Sequence, residues 1–232
     1  MKKLVLPTLV VALLLTVVSA TPAPKGNAQA GLISSIFNRM QRNQQSLKTL
    51  RADISMEKYN SQLRDSDQYY GQVRYIPVGG RSAFVRLEWN KPQHEILVVA
   101  NGGYILWRPR LNMAYVGSTN SIHSQKDSDV LALMNMSPTQ LRTRFTEPQD
   151  VHDETLWGGV WTQHFKVTPN SGASYKYIEV WVDKDGMPVQ TKMVEKNDDA
   201  TTVRLTNVAK NQTIPMDQFT LKLDSSVKKV RG

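Results

Sequence analysis

The sequence predicts a mainly β chain in which an antiparallel sheet curls around a few helices. Three observations predict it. Apolar residues recur with period two, or in short unbroken blocks, in about ten runs. Turn residues (Gly, Asn, Asp, Pro) punctuate those runs at regular spacing, and only three stretches carry helical spacing instead.

The N-terminus sets the expected compartment. Lys2 and Lys3 precede an almost wholly apolar run over residues 4–18, followed by Val18-Ser19-Ala20 with small residues at the cleavage position, so residues 1–20 read as a secretory signal peptide. The run is about fifteen residues, shorter than the roughly twenty a spanning helix needs, and Pro7 interrupts it. A second cut after Ala28-Gln29-Ala30 is open, because residues 21–30 are a short Pro, Ala and Gly segment without periodicity. The chain has no cysteine, which excludes a disulfide framework and a lipid-modified cysteine at the cleavage site. A soluble, unanchored, exported monomer is expected, with residues 31–232 as one domain large enough to bury a core without staples. The net charge of +9, less the two signal-peptide lysines, is +7 and dispersed, which reads as a solvated face.

Along the chain, Ile33, Ile36, Phe37, Met40, Leu47 and Leu50 give one amphipathic helix over residues 31–50. The period then becomes two: Ala52, Ile54 and Met56, then Val73 and Tyr75, each lie on one strand face. After the turn Val78-Gly79-Gly80, the residues Ala83, Val85, Leu87 and Trp89 share a face against Phe84, Arg86 and Glu88, and Pro92 ends the strand. Residues 96–100 are continuously apolar, Asn101-Gly102-Gly103 suits a tight hairpin, and strands follow over 104–108 and 113–117. Two short helices are predicted over 127–136 and 138–145, the second with Ser137 as N-cap and Pro138 at the first helical position. Their methionines make either a soft apolar surface or a plain cap on the core. Strands are predicted again over 157–168, 175–183, 187–196, 201–209 and 219–223, joined by Asn/Asp/Gly turns. There is no internal repeat.

Catalytic chemistry has little to stand on. His94, His123, His152 and His164 are scattered, with no helical metal-pair spacing and no thiol, so no metal site and no cofactor are expected. Asp183-Lys184-Asp185-Gly186 resembles the opening of a calcium loop but lacks the closing acid and reads as a hairpin turn. No Gly-x-Ser-x-Gly elbow occurs, and Gly102-Gly103 precedes a strand rather than a phosphate-binding helix, so no catalytic residue is assigned. Nucleic acid is not an expected partner. What remains is apolar capacity: Trp89, Trp107, Trp157, Trp161 and Trp181 all fall on predicted strands, either as core or as the lining of a cavity in a curled sheet.

The order of features resembles one known family. An N-terminal helix leads to a strand with Arg86 and Trp89, then Pro92, the apolar run 96–99, Gly102-Gly103 and the aromatic strand 104–109; later come Val182-Asp183-Lys184-Asp185-Gly186-Met187-Pro188, Thr206-Asn207-Val208, Asn211 and Phe219. This pattern resembles the LolA-like periplasmic carriers of outer-membrane lipoproteins, over most of the mature chain. The resemblance implies an incomplete antiparallel β-barrel with a helical lid over a hydrophobic cavity, and a soluble periplasmic carrier that takes the acyl chains of lipoproteins toward the outer membrane. It implies acylated lipoproteins or lipid as cargo, with an inner-membrane donor complex and an outer-membrane acceptor as partners. Under it, Leu131, Leu133, Met134 and Met136 form the lid's apolar face, Trp89, Leu106, Trp107 and Trp181 lie on the barrel side, and either Arg81 or Arg86 latches the lid. A lipid- or lipoprotein-sensing regulator of the same fold, or a carrier of another envelope lipid, shares these features.

Overall fold

A computed structural model describes residues 25–79, 83–119 and 137–231. The predicted helix over 127–136, and with it Leu131, Leu133, Met134, Met136 and also Arg81, lies outside the described residues.

Helix α1 (Lys25–Ser46) is followed by β1 (Leu50–Asn60), β2 (Asp65–Pro77), β3 (Ala83–Lys91), β4 (Glu95–Ala100), β5 (Gly103–Arg108) and β6 (Met113–Ser118). Helix α2 (Pro138–Arg144) then leads into β7 (Gln149–Leu156), β8 (Val160–Val167), β9 (Tyr175–Asp183), β10 (Pro188–Glu195), β11 (Ala200–Lys210) and β12 (Lys228–Arg231). Among the described residues all strands form one twelve-stranded sheet in the order β12-β6-β5-β4-β3-β2-β1-β11-β10-β9-β8-β7. The edge strands β7 and β12 do not pair with each other, so the curled sheet is an open barrel, as predicted. Every pairing is antiparallel except β12 with β6, which is parallel.

Alternation builds the core. Leu50, Ala52, Ile54 and Met56 on β1 continue across the register into Leu205 and Val203 on β11, and into Val73 on β2 opposite Leu87 on β3. Helix α1 sits on this same face farther along: Ile36, Phe37 and Met40 pack with Phe165, Val167, Ile178, Val180 and Val182 of β8 and β9. Phe37 meets Phe165 edge to face at 5.8 Å. The cap of α2 forms as the sequence predicts. Ser137 Oγ accepts from the Gln140 amide at 3.2 Å, and Gln140 Oε1 accepts from the Ser137 amide at 3.0 Å, satisfying two orphan donors reciprocally.

Four expectations are corrected. Helix α1 ends at Ser46, not at 50, because Asn211 captures the departing chain: its Oδ1 accepts from the Lys48 amide at 2.7 Å and its Nδ2 donates to the Ser46 carbonyl at 3.2 Å. Trp157 is on no strand; it sits in the β7–β8 turn, 87% exposed. Strand β7 was not predicted, since Gln149–Leu156 is a polar edge strand with little apolar alternation. Residues 219–223 are not a strand either. A 3-10 turn, Met216–Phe219, packs Phe219 against Phe84 at 5.8 Å, and the chain pairs only later, at β12.

Candidate functional site

Among the described residues the larger of two buried clusters runs through β1–β5, β10 and β11 on the α1-bearing face, with Trp89 and Leu106 in it, and takes in Leu156 of β7 and Trp181 of β9. Trp89 is 0% exposed and meets Tyr69 edge to face at 5.9 Å. Gly71 on β2 permits this packing. A bulge between Tyr70 and Gly71 brings the strands so close that a Cβ at 71 would lie 2.1 Å from the Glu88 carbonyl oxygen. Leu106 pairs with Leu97, which pairs with Leu87, so one apolar row crosses three strands beside Trp89.

The expected barrel-side residues do not all share that face. Trp107 is the neighbour of Leu106 on β5 and pairs with Ile96, so its ring leaves the opposite side of the sheet, 6.5 Å from the His94 ring. Its buried Nε1 has no hydrogen-bond partner among the described residues. Trp181 lies between Val180 and Val182, which pack beneath α1, so its own ring points away from that helix. It nevertheless joins the Trp89 cluster, and its Nε1 donates to Glu154 Oε2 at 2.7 Å. Its outward side borders a cleft of about 530 Å³ lined by Glu57, Tyr59, Tyr177, Glu179 and Lys192 among others. A much smaller apolar cavity of about 30 Å³ lies at Met187, Val189, Val203 and Leu205.

Arg86 stands on the side of β3 opposite Leu87 and Trp89. It donates to Glu88 Oε2 from Nε at 3.2 Å and from Nη2 at 3.1 Å, and to the Gln218 carbonyl from Nη1 at 3.3 Å. The Arg86–Glu88 pair thereby ties the C-terminal 3-10 turn to the back of β3. Burial raises the Glu88 pKa, but hydrogen bonds from His94 and Arg86 outweigh it, and the carboxyl ends below its ordinary 4.5.

One grouping escaped the sequence reading. Pairing of β7 with β8 places His152 directly opposite His164, and a bulge between Gln149 and His152 turns Asp150 onto both rings. The available signal was the symmetric placement of the two histidines about Gly158 in the β7–β8 turn.

With this geometry in place, the chain can be set beside known proteins. Residues 45–222 match the model of the family described as outer membrane lipoprotein carrier protein LolA. The chain belongs to the LolA family. No curated protein matches it in sequence. Solved structures share the fold at low identity. In the complex of Pseudomonas aeruginosa MucA and MucB the matched chain is 14% identical with a TM-score of 0.52, covering 82% of this chain and 61% of that one. An uncharacterized conserved protein from Thermus thermophilus is 11% identical with a TM-score of 0.54, covering 86% and 98%. The Mycobacterium tuberculosis lipoprotein LppX is 12% identical with a TM-score of 0.50, covering 81% and 99%. The LolA-family chain thus spans about three-fifths of the length of the matched chain in the MucA/MucB complex. Among the described residues no helix is long and apolar enough to cross a membrane.

Proposed function

We propose that this LolA-family chain is a periplasmic carrier, without enzymatic activity, that holds the acyl chains of lipoproteins against the α1-bearing face of its open barrel and delivers them toward the outer membrane. The observation that carries the reading is the continuous apolar cluster containing Trp89 and Leu106 on one face of an unclosed sheet. Leaving a sixteen-carbon chain in water costs on the order of 12 kcal/mol at about 0.8 kcal/mol per methylene, so a carrier must supply comparable apolar area. Trp89 and Leu106 supply it from the barrel, and Leu131, Leu133, Met134 and Met136 from the lid, while Trp181, whose ring leaves the other side of β9, closes the cluster from behind. Such a lid exchanges side-chain contacts for acyl contacts, which keeps the empty closed state from being too stable to open. Of the two latch candidates, Arg81 is the one this reading keeps, because Arg86 stands on the back of β3, engaged by Glu88 and the Gln218 carbonyl. An inner-membrane donor and an outer-membrane acceptor complete the route.

A second reading is a sensor that passes lipid binding to a protein partner. It draws on the likeness to MucB, whose complex with MucA is a protein–protein assembly. Purification from the native envelope, followed by mass spectrometry of what copurifies, separates the two. Acylated lipoprotein bound at one per chain supports the carrier. A stoichiometric non-acylated protein partner, with no acylated species, supports the sensor and overturns the carrier.

A further inference from the structure

We propose that Asp150, His152 and His164 bind one divalent transition-metal ion of the zinc class, which staples the edge strand β7 to β8. This inference is independent of the lipid-carrier reading.

The donor atoms are already gathered: one from each residue lies within 4.8 Å of the others. His152 Nδ1 is 3.0 Å from the Asp150 carbonyl oxygen and 3.4 Å from its Oδ1. His164 Nδ1 is 3.2 Å from the same carbonyl oxygen and 3.9 Å from Asp150 Oδ2. In a tetrahedral zinc site with bonds of about 2.0–2.1 Å, ligand atoms stand about 3.3–3.4 Å apart, so the His152–Oδ1 separation already matches the required edge and the His164–Oδ2 separation is about half an ångström longer. Two imidazole nitrogens and a carboxylate oxygen are a donor set for zinc or copper rather than for calcium or magnesium. The fourth position opens to water, because Asp150 is exposed.

Burial and orientation support the assignment. The His164 side chain is only 4% exposed, held between the rings of His152 and Trp181 with centroids 4.6 Å from each, and its Nδ1 is aimed at the Asp150 oxygens. His152 turns its other nitrogen, Nε2, toward Glu154 Oε2 at 3.7 Å, and that carboxylate is fixed by Trp181 Nε1. A metal-bound imidazole commonly offers its second nitrogen to a carboxylate in this way. The backbone of Asp150 is at φ 52°, a conformation that Asp and Asn tolerate better than other residues with a Cβ. An ion here would join two residues of β7 to one of β8 at the bulge, where backbone pairing is interrupted.

The test uses the untagged full chain, stripped with a chelator and titrated with zinc chloride against a chromophoric competitor. Wild type is expected to bind one zinc with a dissociation constant of about 10 μM or tighter, and His152→Gln to weaken it at least tenfold, on the order of the losses seen when zinc-site shells are disrupted. His152 is exposed, so its variant keeps the fold, which circular dichroism verifies. Asp150→Asn, which preserves the backbone preference, is expected to weaken zinc as well, while His94→Gln in the β3–β4 connection leaves it unchanged. Copper(II) is expected to quench Trp181 fluorescence in wild type and much less in His152→Gln. Zinc bound equally well by wild type and His152→Gln, or no zinc bound by wild type well above the expected dissociation constant, overturns the proposal.

Discussion

Gly186 and Arg39 are in backbone contact: Gly186 adopts φ +89°, and a Cβ there would lie 2.3 Å from the Arg39 carbonyl carbon and oxygen. The β9–β10 turn is therefore the seat on which α1 rests. Around it Asp183 Oδ1 accepts from the amides of Asp185 at 2.9 Å and Met187 at 2.8 Å, and Asn43 Nδ2 donates to Met187 Sδ at 3.4 Å. Arg39 also reaches Gln163 on β8.

Gly186→Ala should consequently cost more than a turn glycine normally does. The positive φ and the clash with helix backbone act together, so a loss of roughly 2–4 kcal/mol is expected. Gly31→Ala is the control. Nothing lies within 4 Å of a Cβ at that helical position, and alanine there should hold stability or raise it by up to about 1 kcal/mol. Thermal unfolding reads both, at about 2–4 °C per kcal/mol for a chain of this size. Equal midpoints for the two variants would show that the contact is not formed.

The pair Arg86 and Glu88 predicts an acid-sensitive component of stability. Glu88 titrates below its ordinary 4.5 in the fold, so its contribution is complete above that value and is lost as pH falls through the lower folded value. Stability should therefore fall as pH drops below the ordinary 4.5, through this group among other carboxyls, and Glu88→Gln should flatten the slope there. Denaturant unfolding at several pH values measures it. An unchanged slope in Glu88→Gln would remove this pair from the account.

The cap of α2 carries its own prediction. Seven residues are too few for a helix to persist unaided, so Pro138–Arg144 depends on its capping box and on Leu141, buried against the α1 cluster. Ser137→Ala should cost about 1 kcal/mol and Leu141→Ala about 2–5 kcal/mol. Hydrogen exchange at Leu141 and Phe145, whose amides donate to Ser137 and Leu141 at 3.0 and 3.1 Å, should quicken in Ser137→Ala. Unchanged exchange there would mean that tertiary packing alone sets the helix.

How legible these features were follows from what each element depends on. β1, β3, β4 and β5 were readable because every second residue, or every residue, is apolar and buried. The Asp183–Gly186 turn and the Ser137 cap were readable because their chemistry is local. β7 was not, since an edge strand exposes most of its side chains and its pairing is written in β8 rather than in itself. Nor was the meeting of His152 with His164, for the same reason. The side of the sheet that Trp107 occupies was hidden by a different cause: its strand is apolar on both faces, with Ile105 and Trp107 on one and Tyr104 and Leu106 on the other. Hydrophobicity alone could not separate them.

That division makes β5 the place to test which face meets an acyl chain. Leu106 and Trp107 are adjacent, yet Leu106 joins the Trp89 cluster while Trp107 faces His94 on the reverse side. If the α1-bearing face holds the ligand, Leu106→Ala removes contact worth about two methylenes and should weaken a fluorescent fatty-acid probe by roughly tenfold, about 1.4 kcal/mol. Trp107→Ala should change its affinity by less than about twofold, well below the cost of one lost methylene. Unfolding midpoints of both variants, taken in parallel, separate lost binding from lost fold. The opposite ranking, with Trp107→Ala the more damaging to binding at equal stability, would move the acyl site to the back of the sheet and remove Trp89 and Leu106 from it.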